Sequence, residues 1–147
     1  NNGYAEFTPL SSHTLIERLA RHAQTYKIPS NTVDGNDLLE VRDAMGKAVQ
    51  HARAGKGPAF VECLTHRLRG HYEGDPAKYR ELSELAEWKQ KDPIARFIRE
   101  LKRRKAVTDK EIEAIEREAR DLVEGAAQFA LASPLPEPDD VAGHVTA

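Results

Sequence analysis

The sequence predicts an α/β fold: a parallel sheet flanked by helices, followed by a helical C-terminal region. Three observations carry this. Two short runs read as strands: the β-like 31–35 (NTVDG), which ends in an Asp-Gly turn signal, and the apolar 59–65 (AFVECLT). Residues 36–54, between them, repeat apolar side chains at helical spacing, and two strands joined by a crossover helix are expected to be parallel. Beyond residue 80 the spacing is helical almost to the end.

Taken in order, residues 1–11 are turn-like and end in Pro9 and two serines. Residues 12–26 place Leu15, Ile16, Leu19, Ala20 and Ala23 on one helical face, with Ser12 as N-cap. Pro29 and Ser30 close that element. The helix over 36–54 takes Asn36 or Asp37 as its cap and shows Leu38, Val41, Ala44, Met45, Ala48 and Val49 on one face. Gly55 and Gly57 break it before the second strand. Residues 81–91 read as a helix. Asp92-Pro93 opens another, with the proline in its tolerated first-turn position. The run Lys102-Arg103-Arg104-Lys105 is read as a helix C-terminus, where cations complement the dipole. Thr108 and Glu111 form a capping-box signature for a long helix to about Ala132. The remainder, 133–147, is rich in proline and acid and is expected to be an extended tail. The expected divisions are therefore 1–80, 81–132 and 133–147.

The 147 residues carry a formal charge of −2 with 31% charged residues, so no global field points to nucleic acid or an acidic membrane. No apolar run approaches the roughly 20 residues of a membrane span. The single cysteine, Cys63, is expected to be a buried inert thiol, and the absence of a cysteine pair suits a reducing, cytoplasmic setting. The start shows no signal-peptide pattern, and Asn1-Asn2-Gly3-Tyr4 reads as the middle of a protein, so a fragment is expected.

Chemistry concentrates in one stretch. His66 to Arg80 (HRLRGHYEGDPAKYR) leaves the carboxyl end of the second strand, where open α/β sheets gather ligands. Its arginines, histidines and glycine breaks suit a phosphate-bearing ligand; the plainer alternative is a solvated loop. Gly55-Lys56-Gly57-Pro58 lacks the spacing of a phosphate-binding P-loop. His13, His22, His51 and His144 have no partner at zinc-ligand spacing, and the spacing of His66 and His71 is weak support for a metal. Ser11 and Ser12 lack a triad context. Asn2 and a nearby backbone carbonyl offer hard oxygen ligands of the kind magnesium takes, although Asn-Asn-Gly is also an ordinary turn.

The segments NNGYAEFTP, VDGND, GKGPAFVE, THRLRGHYEGDPAKYR, KDPI and AAQFA occur together, in this order, over nearly the whole chain. In this the sequence resembles the alpha subunit of the thiamine diphosphate-dependent decarboxylating component of 2-oxo acid dehydrogenase complexes, whose members act on pyruvate, branched-chain 2-oxo acids or acetoin. The resemblance implies a C-terminal part of that subunit, holding the second half of the cofactor motif without its Gly-Asp-Gly beginning. It implies Asn2 (side chain) and Tyr4 (backbone carbonyl) as magnesium ligands, and His71 as the loop histidine that reaches the diphosphate and serves catalysis. It implies Arg67, Tyr79 and Arg80 as cofactor-side residues which, with Asp75, order the loop. It implies a beta subunit in a two-alpha, two-beta assembly and a lipoyl-bearing acyltransferase as acyl acceptor. No acid–base pair for the cofactor's pyrimidine is found in the chain, which also points to the partner. Tyr72 and Lys78 stand where mitochondrial relatives carry regulatory serines, which implies a bacterial-type enzyme. Two other readings stay open: a non-catalytic module whose helices at 81–132 dock a partner, and a transketolase-like thiamine enzyme, for which the 65–80 block would be unexpected. His66, at the strand end, is expected to tolerate Asn or Tyr.

Overall fold

The computed structural model describes residues 1–143, and His144 lies outside them. The chain divides into two units, Asn1–Leu101 and the residues from Lys102 onward.

The first unit is built on two parallel strands, β3 (Ser30–Asp34) and β4 (Phe60–Leu64), paired in register from Ser30 opposite Phe60 to Asp34 opposite Leu64. Ahead of them lies a small antiparallel hairpin, β1 (Tyr4–Ala5) with β2 (Thr8–Pro9). The expected parallel pair and its crossover helix, α2 (Leu38–Arg53), are both present. Gly35 ends β3 where its N–H donates to the Leu64 carbonyl at 2.7 Å, and a Cβ there would stand 2.6 Å from that same oxygen. On the edge opposite β3, the Asn1 nitrogen donates to the Cys63 carbonyl (2.8 Å) and the Thr65 N–H donates to the Asn1 carbonyl (2.9 Å). Asn1 thus lies alongside β4 as a parallel neighbour.

The helix expected over 12–26 is corrected. Its cap residue, Ser12, falls in a short 3-10 turn (Leu10–Ser12), and the helix itself, α1, covers only Ala20–Thr25. Leu15, assigned to its apolar face, is fully exposed. The reason is tertiary. The N–H groups of Leu19 and Ala20 donate to the Glu62 carboxylate of β4 at 3.0 and 3.1 Å, so the cap comes from the sheet. Glu62, only 4% exposed, also accepts from the Asn1 side chain (2.7 Å) and from the Thr32 hydroxyl (2.9 Å). Burial disfavours its charge, but these bonds outweigh burial and hold its carboxyl below the ordinary range.

Of the two caps offered for α2, Asp37 is used: it accepts from the N–H groups of Leu39 and Glu40. Asn36 is buried and spans elsewhere, accepting from the Thr65 hydroxyl (2.8 Å) and donating to the Lys91 carbonyl (2.9 Å). The buried apolar residues among those described are Ala20, Ala23, Val33 and Ala44. With so thin a core, Cys63 is half-buried instead of fully buried, and Leu38, Met45, Val49 and Phe60 remain substantially exposed.

Two helices follow, α3 (Leu82–Gln90) and α4 (Pro93–Arg103), the last two residues of α4 falling in the second unit. Asp92 caps α4 through the N–H groups of Ile94 and Ala95. Arg96 ties α4 to the carboxyl end of β3, reaching Asp34 and Asp37 at 2.6 Å each. Burial opposes the Asp34 charge, yet Arg96 and the Asn36 N–H keep its carboxyl low.

In the second unit, α5 (Asp109–Ala132) begins with a complete capping box: Thr108 Oγ1 accepts from the Glu111 N–H, and Glu111 accepts from the Thr108 N–H. Lys102 pairs with Asp109. The tail holds one helical turn, α6 (Asp140–Gly143), opened by Asp140 accepting from the Glu137 N–H.

Candidate functional site

The front hairpin and the loop at 66–80 are far apart in sequence but packed together at the carboxyl end of β4. The hairpin begins in an Asx turn: Asn2 Oδ1 accepts from the Tyr4 N–H (3.0 Å), and Gly3 takes a φ of 76°, which glycine tolerates. Arg67 reaches across to the Glu6 carbonyl (2.6 Å) and to the Tyr79 hydroxyl (3.0 Å). Phe7, at the hairpin tip, meets His71 and Tyr79 edge-on, each at 5.5 Å. Tyr4 meets Tyr79 in the same manner at 5.7 Å.

Within the loop, Asp75 organises the turn. It accepts from the His71 N–H (2.6 Å), the Ala77 N–H (2.8 Å) and the Tyr79 hydroxyl (2.8 Å). The bond from the His71 N–H is the chief cause of its lowered pKa. Gly70 permits this turn, because a Cβ there would lie 2.5 Å from the Asp75 Cβ. Arg80 closes the loop by donating to the carbonyls of Arg67 and Arg69, and its guanidinium sits over the Tyr79 and Tyr4 rings at 5.4 and 5.9 Å.

His66 does not behave as a tolerant surface position. Its side chain is 2% exposed and stacks on Trp88 of α3, with centroids 5.3 Å apart and planes 8° from parallel. Burial, with the cations Arg80 and Arg67 nearby, lowers its pKa against the pull of Glu84. The expected tolerance of Asn or Tyr is therefore withdrawn: neither reproduces a flat ring with two nitrogens in that slot.

The loop thus brings Arg67, His71, Tyr79 and Arg80 into one network, with Tyr4 against it. His71 keeps an exposed ring, with Nδ1 3.4 Å from an Arg67 nitrogen. Arg67 Nε is buried without a partner, a donor left over after Nη1 and Nη2 are engaged. Asn2 stands at the start of the hairpin, and its carboxamide oxygen has a second lone pair beyond the one Tyr4 uses. A metal held here would meet neutral oxygens. Among the described residues, no group of three or more His, Cys, Asp or Glu could hold a metal ion. This donor set suits magnesium only when a bound anion supplies charge. Glu62, Glu84, Trp88 and Phe7 were not singled out from the sequence. A glutamate inside an apolar strand was the one available signal, for Glu62.

The family described as "Dehydrogenase E1 component" matches residues 1–139. The chain belongs to that family. This dehydrogenase E1 chain is 39% identical over 142 residues to the alpha subunit of acetoin:2,6-dichlorophenolindophenol oxidoreductase of Cupriavidus necator, covering 96% of this chain and 43% of that protein. It is 38% identical over 138 residues to the pyruvate dehydrogenase E1 component subunit alpha of Rhizobium meliloti, covering 93% and 40%. The Bacillus subtilis acetoin counterpart is 36% identical over 142 residues, covering 96% and 42%. The chain spans about two fifths of the length of these relatives. Membership of the family implies thiamine diphosphate as cofactor. No helix among the described residues is long and apolar enough to cross a membrane.

Proposed function

We propose that this chain is part of the alpha subunit of a thiamine diphosphate-dependent dehydrogenase that decarboxylates a 2-oxo acid such as pyruvate, or cleaves acetoin, and passes the acyl group to a lipoyl domain. The observation that carries the reading is the joining of the hairpin at 4–9 to the loop at 66–80 by Arg67, Phe7 and Tyr79. It ties the hairpin that carries Tyr4 to a basic loop leaving the carboxyl end of a parallel strand, where ligands of α/β sheets gather.

In this reading Asn2 Oδ1 and the Tyr4 carbonyl hold magnesium, with the diphosphate supplying the charge that neutral oxygens lack. When bound, thiamine diphosphate supplies the nucleophilic carbon. Arg67 and Arg80 give the loop its positive charge while fixing its backbone. His71 offers an imidazole to the diphosphate side of the site, and Asp75 holds its backbone. Tyr79 buttresses both. The loop closes the site from water, as an ordered lid does. In this reading a beta subunit completes the centre, in a two-alpha, two-beta assembly in the cytoplasm. A lipoyl-bearing acyltransferase receives the product.

The test is steady-state kinetics of the full-length alpha subunit with its beta partner on pyruvate, acetoin and branched-chain 2-oxo acids. Activity should depend on magnesium and thiamine diphosphate. His71→Ala should lower turnover on the order of a hundredfold, the scale of one positioned proton-bearing group, while leaving assembly intact. Near-normal turnover in that variant removes His71 from the site.

A further inference from the structure

Glu84 lies on α3, outside both site segments, yet it touches each of them. Its Oε2 accepts from the Tyr4 hydroxyl at 2.9 Å, and its Oε1 stands 3.7 Å from His66 Nδ1. Trp88 is four residues further along α3, on the same face, and carries the His66 stack. Tyr4 belongs to the hairpin, and His66 is the residue at which the loop leaves β4. Resting on the reading above, we infer that Glu84 is a positioning residue: one carboxylate on α3 sets the hairpin that offers the metal oxygens and the root of the diphosphate loop at the same time.

The Tyr4 backbone carbonyl and its hydroxyl sit at opposite ends of one residue, so an anchor on the hydroxyl limits how far the carbonyl can swing. The His66 ring is clamped between the Trp88 face and the Glu84 and Arg80 side chains, so the loop's first residue cannot turn independently of α3. Loss of Glu84 frees the Tyr4 hydroxyl and removes one wall of the His66 slot. Both segments loosen together, although neither has lost a residue of its own.

The experiment uses the full-length alpha subunit assembled with its beta partner. Two quantities are read: the initial rate of tryptic cleavage after Arg67 and Arg69 without cofactor, and the magnesium midpoint of thiamine diphosphate binding by calorimetry. Glu84→Ala should raise the cleavage rate and the magnesium midpoint about tenfold each, the scale of one hydrogen bond to a charged group. Glu84→Gln should recover most of both, because its amide oxygen still accepts from Tyr4. Tyr4→Phe, which keeps the backbone carbonyl, should share the magnesium shift. Wild-type values in Glu84→Ala, or a Glu84→Gln variant as impaired as Glu84→Ala, overturn the inference. If Glu84→Ala fails to assemble, Tyr4→Phe decides, and an unshifted midpoint overturns it. A wild-type assembly that binds no thiamine diphosphate defeats the functional reading instead, and the cleavage rates alone then decide whether Glu84 roots the loop.

Discussion

In the loop at 66–80 the backbone has no ladder of its own, and individual side chains of the loop itself, 2 to 13 residues away, meet its polar groups. Asp75 takes the N–H groups of His71 and Ala77, Arg80 takes the carbonyls of Arg67 and Arg69, and Arg67 crosses to Glu6. Along α5 the reverse holds. Its bonds are local: the Thr108–Glu111 box at the start, Gln128 to Glu124 one turn back, and the Ser133 hydroxyl on the Phe129 carbonyl at the end. Its apolar residues Ile115, Leu122 and Phe129 remain exposed. A segment without repeating backbone bonds must draw its conformation from named partners, so single substitutions in it propagate. A capped helix spreads its stability over many equivalent bonds, so single substitutions stay local.

The sharpest way to break this contrast is at Glu62, the acceptor for Asn1, Leu19, Ala20 and Thr32. Glu62→Ala strands these donors at a buried point and should destabilise the first unit by about 3 kcal/mol. Urea denaturation followed by Trp88 fluorescence in the 147-residue chain measures this. A loss below about 1 kcal/mol would show that water replaces the carboxylate and that the unit does not depend on it.

Gly70→Ala comes next. Its Cβ would collide with Asp75, so the turn must shift, at about 2 kcal/mol for a forced small-to-large change. Tryptic cleavage after Arg69 should accelerate, while the helical circular dichroism of α5 should not change. If the Gly70→Ala variant is cleaved at the original rate, the Asp75 turn is not what orders the loop.

Acid gives a third, broader handle. The carboxyls of Glu62 and Asp34 titrate lower in the fold than their ordinary 4.5 and 3.8. Groups lowered on folding contribute stability that is present above the unfolded pKa and lost as pH falls through the folded value. His66, also lowered in the fold from its ordinary 6.5, acts with the same sign at higher pH, because the unfolded chain takes up that proton first. The urea midpoint of the first unit should therefore slip gradually below about pH 6.5 and decline more steeply below about 4.5. A midpoint flat down to about pH 3 would contradict these bonds.

The smallest effect belongs to α5. Thr108→Ala removes one cap and should cost about 1 kcal/mol of local helix stability. It should speed amide exchange in the first turn of α5 and leave cleavage of the loop at 66–80 unaltered. Coupled changes in both places would end the distinction between them.

Local rules set the elements that the sequence reading recovered: the capping box at Thr108, the Asp37 cap, the strands near 31–35 and 59–65, and the crossover that makes them parallel. These depend on neighbours within a few residues or on chain connectivity, and both are visible in a string of letters. The resemblance carried by the 65–80 block likewise placed the chain in its family. The tertiary structure alone decided where Glu62, Glu84 and Trp88 act. It also shortened the first helix to Ala20–Thr25, because a carboxylate from β4 supplies a cap that Ser12 cannot. It turned His66 from a loop residue into a buried ring on Trp88. Each of these depends on which distant groups meet once the strands pair, and periodicity along the chain carries no record of such meetings.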